Sequence, residues 1–358
     1  MSNNSDIHQN IDKYFMSYED FDVHQLMLSD KSRILSYKNA IFDSKDKFTN
    51  KTVMDVGAGT GILSIFCAQA GAKKVYAIEA SQVAKIAKEV VIENNFTDVI
   101  EVIESSVEHI ELSLIDKVDI IVSEWMGFYL IHEGMLDSVI FARDNFLKEN
   151  GLMFPSIAKL YAAPCQLPSF FDFWDDIHGV QMKCVGKEHR RLKSLKPEVS
   201  IVNDENLLCD SNLLIWLNLY DVTVEELNTL SGDNTIAICQ KDGKCQGICI
   251  WFVVEFPNGS ELSTAPSCEP THWKQTVIVL PSEIELSKSD PLTYKLNLNR
   301  SEENSRFYNM ELTMLDSAEV EHEIPCCCNM TKCLIMRTYI EKQQLNANNL
   351  ITNVNPDD

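Results

Sequence analysis

An α/β domain built on a parallel sheet, followed by a second, mainly β half, is the fold class this sequence predicts. Three observations predict it. Strand-like and helix-like segments alternate from Thr52 to Gly151, glycines cluster where the first strand meets the first helix, and the apolar period changes to two beyond Pro164. Such alternation marks βαβ units, in which each crossover helix returns the chain to a parallel neighbour.

The elements follow in order. From Tyr14 to Phe42, Met27, Leu28, Ile34 and Tyr37 recur at threes and fours, which predicts helix. Strands are predicted at Thr52–Val56, Val75–Ile78, Val99–Ile103 and Val118–Ser123, with helices opening at Ile62 and Gln82 and helical spacing again at Leu136, Val139 and Ile140. In the second half, Leu292 to Leu298 and Met310 to Met314 alternate, and Ile248 to Phe256 is rich in β-branched and aromatic residues, as strands require. Gln343 to Asp358 is dominated by Asn and other polar residues and is expected to be a loose tail. The chain thus divides into a helical segment (1–50), an α/β domain (51–163), a β domain (164–342) and the tail (343–358).

Composition narrows the function. With 53 acidic against 31 basic side chains in 358 residues, the formal net charge of −22 disfavours direct contact with a nucleic-acid backbone and favours cationic partners. No apolar run approaches the ~20 residues that span a bilayer, and Met1 to Asn10 lacks an apolar signal core, so no membrane partner is expected and a nuclear or cytoplasmic location is. Twelve scattered cysteines read as reduced thiols. Cys326, Cys327 and Cys328 with Cys333 lack the paired short spacings of a zinc site, so no metal is expected.

Val53 to Ile62 carries the strongest local signal: a strand running into Gly57, Gly59 and Gly61, then a helix. Glycines there let the backbone turn sharply and approach a ligand at the helix N-terminus. A dinucleotide fingerprint would want Gly or Ala at position 62, where Ile62 stands, so the spacing suits S-adenosylmethionine, which has no pyrophosphate. Glu79, closing the next strand, is placed to accept both hydroxyls of a ribose.

Ser123 to Glu133 adds chemistry. Glu124 closes the fourth strand, where ligands of parallel sheets bind, and Glu133 returns after a loop. Two carboxylates at one cleft mouth repel unless a cation lies between them, and a guanidinium fits.

These motifs, together with Tyr14-Phe15-x-x-Tyr18, His24-x-x-Met27-Leu28-x-Asp30-x-x-Arg33 and Thr271-His272-Trp273, make the chain resemble a protein arginine N-methyltransferase from Tyr14 to about Tyr339. The resemblance implies an S-adenosylmethionine-binding Rossmann-like sheet, a β-barrel, and a helical dimerisation arm over residues 169–197 that makes a homodimer. It implies cofactor contacts at Arg33, Gly57, Gly59, Glu79, Glu108, Met27 and His24. Catalytic roles would fall to Glu124, Glu133, His272 and Asp30, and substrate contacts to Tyr18, Met126 and Trp273. Met27 resembles the type I branch, which makes asymmetric dimethylarginine on basic substrates such as histones or Arg-Gly-rich proteins. His132 before Glu133-x-Met135-Leu136 resembles the branch numbered six. Phe128 departs from the tyrosine common in the family. A small-molecule methyltransferase and an inactive scaffold are the competing readings.

Overall fold

The computed structural model describes residues 20–352, with side chains through residue 345 in its last helix. Tyr14, Phe15 and Tyr18 lie outside the described residues.

Three helices open the described chain: α1 (Phe21–Ser29), α2 (Lys31–Asp43) and α3 (Lys45–Phe48). Two aspartates cap the first two. The Asp20 side chain accepts from the amide of Asp22, and Asp30, between α1 and α2, accepts from the amide of Arg33, so each satisfies an N–H that a first helical turn leaves unpaired.

A five-stranded sheet follows, formed by β1 (Thr52–Val56), β2 (Lys74–Glu79), β3 (Ile100–Glu104), β4 (Val118–Val122) and β5 (Leu147–Phe154). Its order is β3-β2-β1-β4-β5, and every pairing is parallel. Helices α4 (Ile62–Gln69), α5 (Val83–Glu93) and α6 (Leu136–Phe146) make crossovers. Four of the five residues of β1 are buried, as a central strand covered on both faces requires. The strand order reverses direction at β1, which puts the ends of β1 and β4 at the crevice where such sheets bind ligands.

Pairing changes from parallel to antiparallel between Phe154 and Ile157. A six-stranded sheet contains β6 (Ile157–Cys165), β7 (Glu198–Ser200), β8 (Asn212–Asn218), β11 (Gly243–Glu255), β12 (Glu261–Ser263) and β13 (Gln275–Leu286). A second sheet contains β9 (Thr229–Ser231), β10 (Thr235–Ile238), β14 (Pro291–Arg300) and β15 (Tyr308–Leu315). Ile250 and Phe252 of the first share a core with Leu296 and Leu298 of the second, giving a barrel-like unit.

Two helices, α7 (Pro168–Phe171) and α8 (Lys183–Lys193), project between β6 and β7. Gly186 lets α8 pack closely on the segment that follows α7: a Cβ there would lie 2.8 Å from the Cβ of Trp174. After β15 the chain ends in α9 (Thr331–Thr352). That helix corrects the expectation of a loose tail for residues 343–352, where Gln, Leu, Asn and Ala extend a helix already begun at Thr331. Residues 353–358 lie outside the described residues. None of the described helices is long and apolar enough to cross a membrane.

Candidate active site

The turn after β1 is built on backbone that side chains rarely adopt: φ is +74° at Gly57, +55° at Gly59 and +87° at Gly61. The amides of Gly57 and Ala58 both donate to the carbonyl of Ile78, which draws the loop against β2. At Gly57 a close approach adds to the positive φ, since a Cβ would lie 2.2 Å from the terminal carbon of Met135. Glu79 steadies the loop, its two oxygens accepting from the amides of Gly59 and Ser81, each at 2.8 Å. Each oxygen retains a lone pair for a further donor.

Beneath the turn lies Asp55, fully buried and bonded through Oδ2 to the hydroxyl of Ser64 at 2.7 Å, while Oδ1 has no partner. Burial raises its carboxyl, the Ser64 hydrogen bonds pull it back, the charge of Glu79 pushes it up again and that of Arg33 lowers it, for a net value of about 7. Sequence reading passed over Asp55, although a carboxylate in a strand before a glycine turn was the available signal.

The end of β4 is tied to its neighbours through Ser123, whose hydroxyl donates to the carbonyl of Val56 at 2.7 Å and whose carbonyl accepts from the buried Tyr37 hydroxyl at 2.9 Å. This fixes Glu124, the next residue. Its Oε2 receives both Nε and Nη2 of Arg33, at 2.7 and 2.6 Å, and its Oε1 accepts from the amide of Met126. Arg33 also donates through Nη1 to the carbonyl of Met27 at 3.1 Å. The guanidinium expected to pair with the cofactor's carboxylate thus also holds a carboxylate of the chain.

The loop to Glu133 is clamped by the barrel. Arg306 accepts from the Glu133 amide through its backbone carbonyl and donates through Nη1 to the Glu133 carbonyl, at 2.8 and 2.9 Å. The buried indole of Trp273 donates to the carbonyl of Met126 at 3.0 Å, which makes Trp273 a support for the loop as well as part of the cavity wall. Arg300 grips Asp137, at the start of α6, through two nitrogens. Within the loop, His132 Nδ1 lies 2.8 Å from the Tyr129 hydroxyl and its ring sits beside Phe128 and Phe307. Desolvation depresses it to about 4, so it is neutral at physiological pH.

His272 and Asp30 meet although 242 positions separate them. Asp30 Oδ2 accepts from both the backbone amide and Nδ1 of His272, each at 2.8 Å, while Oδ1 caps α2. Burial alone would raise the Asp30 carboxyl, but these hydrogen bonds outweigh it and hold the group below the usual carboxylate range.

One cavity of about 860 Å³ collects these groups. Its walls include the glycine turn, Glu79, Glu108, His24, Met27 and Arg33, and also Glu124, Met126, Glu133, His272 and Trp273. Of the site residues expected from sequence, Asp30 reaches it through His272, and Tyr18 lies outside the described residues. Glu108, at its exposed rim, accepts from the Ser138 hydroxyl at 2.5 Å. Ser138 and Arg306 join the lining without having been singled out by sequence, as does Met135, which sequence marked only as part of the Glu133-x-Met135-Leu136 motif.

The donor set fits S-adenosylmethionine. Glu79 offers acceptors for ribose hydroxyls, the Gly57 cradle has no room for a side chain, and Arg33 has N–H groups beyond the three used.

Comparisons agree with this geometry. The family model described as "Arginine methyltransferase oligomerization subdomain" matches residues 156–315, and "Ribosomal protein L11 methyltransferase (PrmA)" matches residues 40–152. "Protein arginine N-methyltransferase 6" of Danio rerio is 43% identical over 303 residues, covering 82% of this chain and 86% of the relative. Its Xenopus tropicalis counterpart is 40% identical over 303 residues, 82% and 88% of the two chains. Among solved structures, "Crystal structure of PRMT6-SAH" matches with TM-score 0.73 and 32% identity, covering 83% of this chain and 100% of that one. "Trypanosoma brucei PRMT1 enzyme-prozyme heterotetrameric complex with AdoHcy" matches with TM-score 0.75 and 32% identity, over 86% and 98%.

Proposed function

Because the chain belongs to the protein arginine N-methyltransferase family and transfers methyl groups from S-adenosylmethionine to protein arginine, we propose that Glu124 and Glu133 hold the substrate guanidinium and that asymmetric dimethylarginine is the end product. The single observation that carries the assignment of roles is the shared cavity, which joins a nucleoside-binding turn to two carboxylates and a histidine.

When bound, S-adenosylmethionine supplies an electrophilic sulfonium methyl. Arg33 would receive its carboxylate, Glu79 its ribose and Glu108 its adenine amine, with His24, Met27, Gly57 and Gly59 as the surrounding wall. A guanidinium with pKa above ~12 is a delocalised cation and a poor nucleophile in water. Carboxylates gripping it on one side localise its charge and orient the free nitrogen outward. Most of the acceleration is then positioning and electrostatics. The attacking nitrogen becomes acidic only as its new bond forms, so a moderate base suffices, and His272, oriented by Asp30, is placed to take that proton.

An acidic chain suits basic substrates such as histone tails or Arg-Gly-rich segments, in the nucleus or cytoplasm. For assembly, the match to an oligomerization subdomain supports a homodimer. The arm formed by α7 and α8 presents exposed Phe173, Val180 and Leu195 for such a contact.

Incubating the purified chain with S-adenosylmethionine and core histones, then reading modified arginines by tandem mass spectrometry, tests the product. Neutral loss of dimethylamine is expected; symmetric or exclusively monomethyl product would overturn the branch assignment.

A further inference from the structure

Between β15 and α9 the chain folds into a knuckle in which His322, Cys326, Cys328 and Cys333 each turn one ligand atom to a common point, all four atoms lying within 4.8 Å of one another. Cys328 is fully buried, Cys333 and His322 nearly so, and Cys326 half-buried. Nothing in the methyl-transfer site uses them.

The contacts do not close as hydrogen bonds. All three sulfurs approach one nitrogen, His322 Nδ1, at 3.3 Å from Cys326, 3.4 Å from Cys328 and 3.3 Å from Cys333. The other ring nitrogen, Nε2, lies 2.9 Å from the carbonyl of Ser317. A carbonyl can only accept, so Nε2 carries the ring proton and Nδ1 presents a single lone pair, which cannot receive three thiols. A cation resolves the arrangement. Tetrahedral zinc, with bonds of about 2.3 Å to sulfur and 2.0–2.1 Å to nitrogen, sets nitrogen–sulfur edges of about 3.5 Å, close to the observed spacing.

We propose that His322, Cys326, Cys328 and Cys333 form a structural zinc site that clips the start of α9 to the barrel. Three thiolates and one imidazole are a soft set that selects zinc over magnesium or calcium. On binding, the three thiol protons leave to solvent and four metal–ligand bonds form, with no redox change. The Ser317 carbonyl fixes the histidine tautomer, as outer partners of metal ligands do. It is anchored in turn, since the Ser317 hydroxyl bonds Thr293 Oγ1 and the Pro291 carbonyl on β14, at 2.8 and 3.1 Å. Asn329 ties the other side of the knuckle to Ser289 and Asp290. Sequence spacing concealed the site: the ligands do not fall into two close pairs, and His322 is not a cysteine at all.

The test is metal analysis of the full chain purified without chelators. About one zinc per chain is expected, and replacement by Co²⁺ should give the intense visible bands of a tetrahedral thiolate site. Cys328→Ser and Cys333→Ser should lose the metal, whereas Cys327→Ser, altering the exposed neighbour, should retain it. Wild-type stoichiometry and the Co²⁺ spectrum do not depend on whether any variant folds. Absence of stoichiometric metal, a disulfide among these cysteines, or equal metal loss in Cys327→Ser would overturn the proposal.

Discussion

Arg33 and Glu124, 91 positions apart, form an ion pair in which two guanidinium nitrogens share one carboxylate oxygen, at 2.6 and 2.7 Å. Their side chains are 10% and 8% exposed, so each relies on the other for compensation. The pair couples the residue assigned to the methyl donor's carboxylate to the residue assigned to the substrate guanidinium. Arg33→Ala should therefore weaken both sites at once. Removing one member of a buried pair costs about 3–5 kcal/mol, so a clear fall in Tm should accompany loss of cofactor affinity. Thermal unfolding and titration with S-adenosylhomocysteine on the same samples check both; unchanged Tm would show the pair to be incidental.

Asp30 serves two masters, capping α2 through Oδ1 and orienting His272 through Oδ2. His272→Ala leaves the cap in place and is expected to lower kcat by about 10²- to 10⁴-fold with little loss of stability. Asp30→Ala should add about 0.5–2 kcal/mol of destabilisation from the lost cap. Steady-state kinetics with denaturant melts separate the two, and equal Tm losses in both variants would contradict the division of labour.

Asp55 predicts a pH dependence. Its folded value is about 7 against an ordinary 3.8, so the folded chain holds the proton more tightly than the unfolded chain. Stability from this group is complete below 3.8 and is lost as pH rises towards about 7. Asp55→Asn keeps an acceptor for Ser64 and removes the titration, so Tm should vary less with pH across this window. An unchanged slope would place the proton elsewhere.

Trp273→Phe retains the ring that packs on Phe252 but deletes the donor to the Met126 carbonyl. An unsatisfied buried acceptor costs about 1–3 kcal/mol. The loss should appear as a raised KM for peptide and a lower Tm, with cofactor affinity retained.

Much of this was legible locally. β1 and the start of α4 are set by an apolar run meeting Gly57, Gly59 and Gly61, and β14 and β15 by strict alternation, because those signals lie within a few residues. The carboxylates of Glu124 and Glu133 were legible from one loop. What escaped was long-range pairing: Arg33 with Glu124, His322 with three cysteines, and the Arg306 clamp on Glu133 depend on turns that no local pattern encodes. Asp55 had a local signal, a carboxylate in the strand before the glycine turn, but its complete burial, which sets its titration, comes only from the fold. The Asn-rich tail misled because composition suggested disorder where α9, already nucleated at Thr331, simply continues.

Glu124→Gln tests the central claim most directly, because it preserves size and removes charge. Wild-type and variant chains would be compared for S-adenosylhomocysteine binding by calorimetry and for arginine methylation of a basic peptide by mass spectrometry. Cofactor binding retained, because the amide oxygen still accepts from Arg33, with methylation lowered by about 10²- to 10³-fold is the predicted result, in line with the loss of a preorganised electrostatic partner. Methylation at the wild-type rate would contradict the account.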